Sequence, residues 1–224
     1  MNIKKRILVV APHPDDETLG AGGTIAKYSA DGDEVFVLMV SGHLPPIYSR
    51  DAYEETVDEA YSAFSVLGVN RSKFLEIPAT MIGDQPLNEF NRRVSEVVNN
   101  FKPHIVLCPY PDRHVDHRLV FDSVMVATRP VGVGRDIEVV AAYETLSETH
   151  WNAPHIEPNF TPNWVVDVSD HIHKKIEALG CYKSQISAFP GPRSIEAAES
   201  LAKFRGTQAG FGFGEGFHII RMIS

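Results

Sequence analysis

The sequence predicts an α/β fold: a mostly parallel sheet with helices packed on it. Three observations predict it. Short apolar runs alternate with amphipathic segments through the first half of the chain, the pattern of β–α–β units. The run His104-Ile105-Val106-Leu107-Cys108-Pro109 is continuous rather than alternating, as expected of a strand buried on both faces. Helix stop signals, Gly32, Gly68 and Pro103, fall where each amphipathic segment ends. The chain has 224 residues, 43% of them hydrophobic. That predicts one domain over residues 1–224, burying roughly 70% of its unfolded surface.

In chain order, Arg6 to Val10 is the first strand and Glu34 to Val40 the second, joined by a helix from Thr18 to Ala30. Gly20, Gly22 and Gly23 weaken that helix but permit close approach to the sheet. A helix from Arg50 to Leu67 places Tyr53, Val57, Tyr61, Phe64 and Leu67 at helical spacing. Phe74 to Pro78 is a short strand. Leu87, Phe90, Val94, Val97, Val98 and Phe101 mark the next helix, and His104 to Pro109 the strand after it. A helix follows His114 to about Thr128, then strands at Val139 to Tyr143 and Val165 to Ser169. Ile172, Ile176, Leu179 and Ile186 predict one long helix, while Ala188 to Arg193 and Gly206 to Gly216 are predicted loops.

Charge narrows the function classes. Asp and Glu number 29 against 21 Lys and Arg, a net charge of -8. Nucleic-acid binding needs a basic face, so that class is excluded as a prior. Two cysteines, Cys108 and Cys181, cannot build a disulfide framework or a sulfur-rich zinc module, which predicts a reducing compartment. The apolar run of the opening MNIKKRILVVAP is too short for a secretory signal, and no stretch is long enough to span a bilayer. A soluble cytoplasmic protein is expected. Its excess, 10 histidines, needs explaining.

Two clusters carry chemistry. Pro12-His13-Pro14-Asp15-Asp16-Glu17 follows the first strand, at the sheet edge where open α/β folds bind ligands. His13 and Asp16, three apart in a proline-stiffened turn, make a plausible zinc pair, leaving Asp15 as a base on metal-activated water. The competing reading is a polar connection with Asp16 capping the helix. Asp112-Arg113-His114-Val115-Asp116-His117 follows the fourth strand along the same edge. His114 and His117, at i and i+3, can send one imidazole to a metal and the other into the pocket, with Asp112 and Asp116 orienting a ring. A solvated charged loop is the alternative here.

Together these motifs resemble the LmbE-like/PIG-L family of zinc-dependent de-N-acetylases. Ala11 to Glu17, Gly20 to Thr24 and His114 to His117 carry the resemblance, with weaker support from Leu67 to Val69, Tyr182 to Gln185 and Glu215 to Phe217. It implies a Rossmann-like three-layer fold, with a mostly parallel sheet and helices on both faces. It implies one zinc ion (Zn2+) per chain held by His13, Asp16 and His117, with Asp15 as general base. It implies a protonated His114, paired with Asp116, near the developing oxyanion. A tyrosine that assists the carbonyl in some relatives falls at Asp112, so that assistance does not carry over. Arg50 resembles a position that binds substrate. The implied reaction is removal of the N-acetyl group from an amino-sugar substrate such as an N-acetylglucosamine conjugate. The resemblance also leaves room for a homo-oligomer, a trimer or hexamer.

Weaker signals sit beside these. His43, after the second strand, is at the correct edge to touch substrate. The Phe189 to Arg193 loop is a candidate lid or subunit contact. Gly20-Ala21-Gly22-Gly23 lacks the spacing of a dinucleotide loop, because Ile25 stands where a glycine is needed. Two other functions compete: a two-metal phosphoesterase, and a non-catalytic sugar-binding protein on the same fold.

Overall fold

The computed structural model describes residues 4–153 and 155–223. Among them, seven strands form one mixed sheet in the order β3-β2-β1-β4-β5-β7-β6. The first five strands are β1 (Arg6–Ala11), β2 (Glu34–Gly42), β3 (Arg71–Pro78), β4 (Ile105–Pro109) and β5 (Val139–Tyr143). They are all parallel along the sheet, with Val9 beside both Val37 and Leu107. The last two, β6 (Trp164–Asp167) and β7 (Gly214–Met222), close the far side, and β7 runs antiparallel to both of its neighbours.

Because strand side chains alternate, β1 feeds two separate cores. Ile7, Val9 and Ala11 pack with Ala21 and Ile25 of α1 (Asp16–Ala30), Ala60 and Phe64 of α2 (Arg50–Leu67), and Ala178 of α5 (Ile172–Leu179). Leu8 and Val10 face the other way, onto Phe90, Val94 and Val98 of α3 (Leu87–Phe101) and Val120 and Val124 of α4 (Val115–Ala127). The sixth helix, α6 (Ile195–Thr207), joins a smaller cluster in which Ala198 meets Leu19, Leu146 and Leu179. The result is the Rossmann-like three-layer α/β arrangement expected. The chain leaves β1 toward β2 and later returns to β4 on the opposite side. The carboxyl ends of β1 and β4 therefore flank the switch point of the sheet, where such folds form crevices.

Several boundaries move. α1 starts at Asp16 rather than Thr18, and β3 at Arg71 rather than Phe74. β6 runs from Trp164 to Asp167, one residue earlier than expected at its start and two at its end. α5 stops at Leu179, so the long helix expected to reach Ile186 is a short helix followed by turns at Gly180 and Tyr182. The expected Gly206 to Gly216 loop instead contains the end of α6 and the start of β7. α6 buries mainly Ala198, Ala202, Arg205 and Gly206, a face too small and too polar to show helical periodicity. β7 opens on Gly-Glu-Gly and draws its definition from pairing with β5 and β6.

The glycine-rich stretch of α1 has a packing reason. A Cβ on Gly20 would collide with Cδ2 of Tyr143, whose hydroxyl donates to the Val10 carbonyl at 2.9 Å. Helix α1 thus rides directly on a buried tyrosine of β5. Gly20→Ala is expected to cost about 2 kcal/mol of unfolding free energy by overpacking, measured from urea denaturation. An unchanged midpoint would show that Tyr143 yields freely.

Candidate active site

The turn after β1 makes the first half of the site. The Asp16 amide donates to the His13 carbonyl at 3.2 Å, and α1 begins at Asp16. Asp15, at φ 114°, sits in the left-handed region without a side-chain capping bond. Asp15, Asp16 and Glu17 are all buried, with at most 3% of their surface exposed. Their position at a helix N-terminus offsets part of that cost.

The second half comes from the turn after β4. His117, in the first turn of α4, donates from Nδ1 to Asp112 Oδ2 at 3.0 Å, and Thr149 Oγ1 donates to the same oxygen at 2.8 Å. This leaves His117 Nε2 buried without a hydrogen-bond partner, 3.3 Å from Asp16 Oδ2. From the other side, His13 Nε2 donates to Asp116 Oδ2 at 2.9 Å, and His13 Nδ1 lies 3.2 Å from the same Asp16 oxygen. Ligands about 2.0–2.1 Å from a tetrahedral zinc stand about 3.3 Å apart. His13 Nδ1, Asp16 Oδ2 and His117 Nε2 match that spacing on both measured edges, and the orphaned Nε2 is the atom a metal would satisfy.

The buried carboxylates make the pocket favour positive charge. Burial works against a charged His13, yet hydrogen bonds to Asp116 and Asp16 push its pKa up to about 9. Burial likewise opposes charge on His117, but Asp16 and Asp112 raise it to about 10. Burial alone would raise Asp16, and the two histidines instead hold it well below the usual carboxylate range.

Nitrogens of His13, His114 and His117 also lie within 4.8 Å of one another. His114 differs from the other two. It is the residue preceding α4, and its Nδ1 accepts the Asp116 backbone N–H at 3.1 Å. The expected pairing of a protonated His114 with the Asp116 carboxylate is therefore corrected. That carboxylate serves His13 and the Thr80 amide, the latter at 2.7 Å. An Nδ1 that accepts an N–H belongs to a neutral ring, and burial with the neighbouring His13 and His117 lowers the pKa of His114.

Asp15 faces this group from the start of α1. Burial raises its pKa well above the ordinary value, while Arg193, whose Nη1 donates to Asp15 Oδ2 at 3.2 Å, works in the opposite direction. His43 stacks on Tyr48 with ring centroids 4.3 Å apart, and His13 contributes to lowering its pKa after burial. Arg50 is not drawn into the cluster. Its guanidinium lies 3.5 Å from Glu54 and 3.8 Å from Glu76, over the Tyr53 ring, in a groove of about 210 Å³ between α2 and β3. The sequence reading missed Thr149, the Thr80 amide and the role of Arg193, since nothing local marks residues that meet the site from far along the chain.

Helix α1 is held from behind by a second polar set. Tyr182 donates to Glu17 Oε1 at 2.6 Å, and Thr18 Oγ1 donates to the same oxygen. The Glu215 carboxylate accepts the Gly23 and Thr24 amides at 2.9 and 2.7 Å, and Lys175 Nζ bridges Glu215 and the Leu19 carbonyl. These contacts explain the Tyr182 and Glu215 segments as supports of the helix that carries Asp16.

The model of the PIG-L family, GlcNAc-PI de-N-acetylase, matches residues 8–128, more than half of the chain and both motif turns. The chain belongs to the PIG-L family. One similar relative is the 1D-myo-inositol 2-acetamido-2-deoxy-alpha-D-glucopyranoside deacetylase of Rhodococcus jostii, 27% identical over 89% of this chain and 88% of its own. Another is the diacetylchitobiose deacetylase of Thermococcus kodakarensis, 26% identical over 98% of this chain and 84% of its own. Among solved structures, the 4-carboxy-2-hydroxymuconate hydratase GalB of Pseudomonas putida KT2440 shares the fold, with a TM-score of 0.75 at 19% identity over 98% of both chains. The same fold thus also hosts a hydratase, and the reaction has to be argued from the site.

Tyr182→Phe would leave Glu17 buried with one partner fewer. It is expected to cost about 2 kcal/mol in chemical denaturation, the range for a hydrogen bond to a charged group. A loss near zero would show that the Tyr182 hydroxyl does not stabilise the fold through Glu17.

Proposed function

We propose that this PIG-L member is a zinc-dependent hydrolase removing the N-acetyl group from an N-acetylglucosamine conjugate. The observation that carries the reading is the convergence of His13 Nδ1, His117 Nε2 and one Asp16 oxygen, with the uncoordinated carboxylate of Asp15 beside them. The names of the two relatives, an acetamido-glucoside deacetylase and a diacetylchitobiose deacetylase, supply the substrate class. The two free thiols fit a cytoplasmic setting, and no described helix is long and apolar enough to cross a membrane.

His13, Asp16 and His117 would hold the zinc. Bound there, it lowers the pKa of a water to about 7 and polarises the acetamide carbonyl. Asp15 takes the proton of the attacking water on its carboxylate, and its upward shift by burial makes it the stronger base. His114, whose Nδ1 is occupied by the Asp116 amide, keeps its proton on Nε2. It offers that N–H to the oxygen on which negative charge develops, a contact worth roughly 3 kcal/mol. The departing amine takes a proton from within the site, and Asp15 and His114 are the two residues placed to give it. His43, with Tyr48, sits on the loop after β2 as a sugar contact.

A two-metal phosphoesterase needs a second ligand set about 4 Å from the first. The group of possible metal ligands found among the described residues joins His13, His114 and His117, and metal stoichiometry separates the two readings. A sugar-binding module would have no use for Asp15 beside Asp16.

Zinc at 100 times its Kd should stabilise the apo-protein by about 2.7 kcal/mol, read as a rise in melting temperature, and His117→Ala should abolish that rise. Titration should end at one zinc per chain; two would overturn the assignment. Zinc-loaded protein should release acetate from N-acetylglucosamine conjugates. Asp15→Asn should bind zinc normally and lose turnover, and full activity in that variant would sink its role as base.

A further inference from the structure

We propose that Arg193 is a positioning residue for this reaction, holding the Asp15 carboxylate in its working orientation from a loop outside the family-matched residues. The proposal rests on the hydrolase reading above.

Asp15 is poorly fixed by its own surroundings. Its backbone is left-handed, its side chain caps nothing, and its amide is directed to Glu17 Oε2 at 3.3 Å. Among the described residues, the hydrogen-bond donor that reaches its carboxylate is Arg193 Nη1, 178 positions away in the chain. A base whose carboxylate can rotate is a poor base, because proton transfer needs it within hydrogen-bond reach of the water.

Arg193 is itself held. Its Nε donates to Ser147 Oγ at 3.4 Å, and Nη2 lies 3.9 Å from Glu148. The next residue, Ser194, is buried and caps α6 by accepting the Ala197 amide at 3.2 Å. Its amide donates to Gly191 O at 3.1 Å, and the Gly191 amide donates to Ala188 O at 2.8 Å, so the loop is tied within itself. The Ser147 to Thr149 turn that receives the guanidinium also sends Thr149 to Asp112, the carboxylate behind His117. One turn thus touches the partners of both the base and a metal ligand. The family model ends at residue 128, so this arm belongs to the remainder of the chain.

The test is a double-mutant cycle over wild type, Arg193→Ala, Asp15→Asn and the double variant, with Arg193→Lys as the conservative change. Arg193→Ala should lower kcat about 100-fold while leaving KM and zinc stoichiometry unchanged, the scale of a small misplacement of a reacting group. Arg193→Lys should recover part of the loss. In the Asp15→Asn background, removing Arg193 should cost no further turnover. The same cycle in melting temperature should be non-additive, a readout independent of activity. A raised KM with normal kcat, or additive losses in turnover, would overturn the proposal and make Arg193 a substrate contact. Additive melting shifts would overturn it as well. Absence of acetate release by the wild type, on every conjugate tried, would instead remove the hydrolase reading, and this role with it.

Discussion

Five carboxylates, Asp15, Asp16, Glu17, Asp112 and Asp116, are withdrawn from water around the carboxyl ends of β1 and β4. An isolated ionised carboxylate in such a place would cost many kcal/mol, so each must be answered by a donor or a positive charge. Asp16 is answered by His13 and His117, Asp112 by His117 and Thr149, and Asp116 by His13 and the Thr80 amide. Glu17 has Tyr182 and Thr18, and Asp15 has Arg193. The surplus of negative charge over fixed positive charge is what makes the pocket a cation site.

That constraint reaches through the whole molecule. The two motif turns lie within residues 8–128, but Thr149, Lys175, Tyr182, Arg193 and Glu215 all come from later in the chain. β7 is placed so that Glu215 meets the amides of Gly23 and Thr24 in α1. The far half of the sheet therefore steadies the helix on which the Asp15-Asp16-Glu17 run begins. A hydratase on the same fold shows that the scaffold alone does not dictate this chemistry.

Most of the first half of the fold was legible because its signals are local. β1, β2 and β4 are apolar runs, and α2 and α3 show helical spacing ended by Gly68 and Lys102-Pro103. The motif turns were legible for the same reason, being contiguous. α6 and β7 were not, since one buries alanine and glycine and the other is defined by strand pairing. Which aspartate serves which histidine was also hidden. Asp116 is adjacent in sequence to His117, yet its carboxylate reaches back across the site to His13, while Asp112 crosses five positions to His117.

That crossing sorts the three site histidines by chemistry. Their rings lie within 5.7 Å of one another, so proximity cannot separate ligand from non-ligand. The partner at the other nitrogen can. His13 and His117 each donate one N–H to a carboxylate, which fixes the tautomer, raises basicity and leaves the opposite lone pair for a metal. His114 spends a lone pair on a backbone N–H, so its neutral ring carries hydrogen on the remaining nitrogen and can only donate there. Two imidazoles are thereby prepared to bind a cation and the third to meet an anion. A carbonyl oxygen that gains negative charge beside a metal requires that division of labour, and one turn of backbone at the start of α4 enforces it.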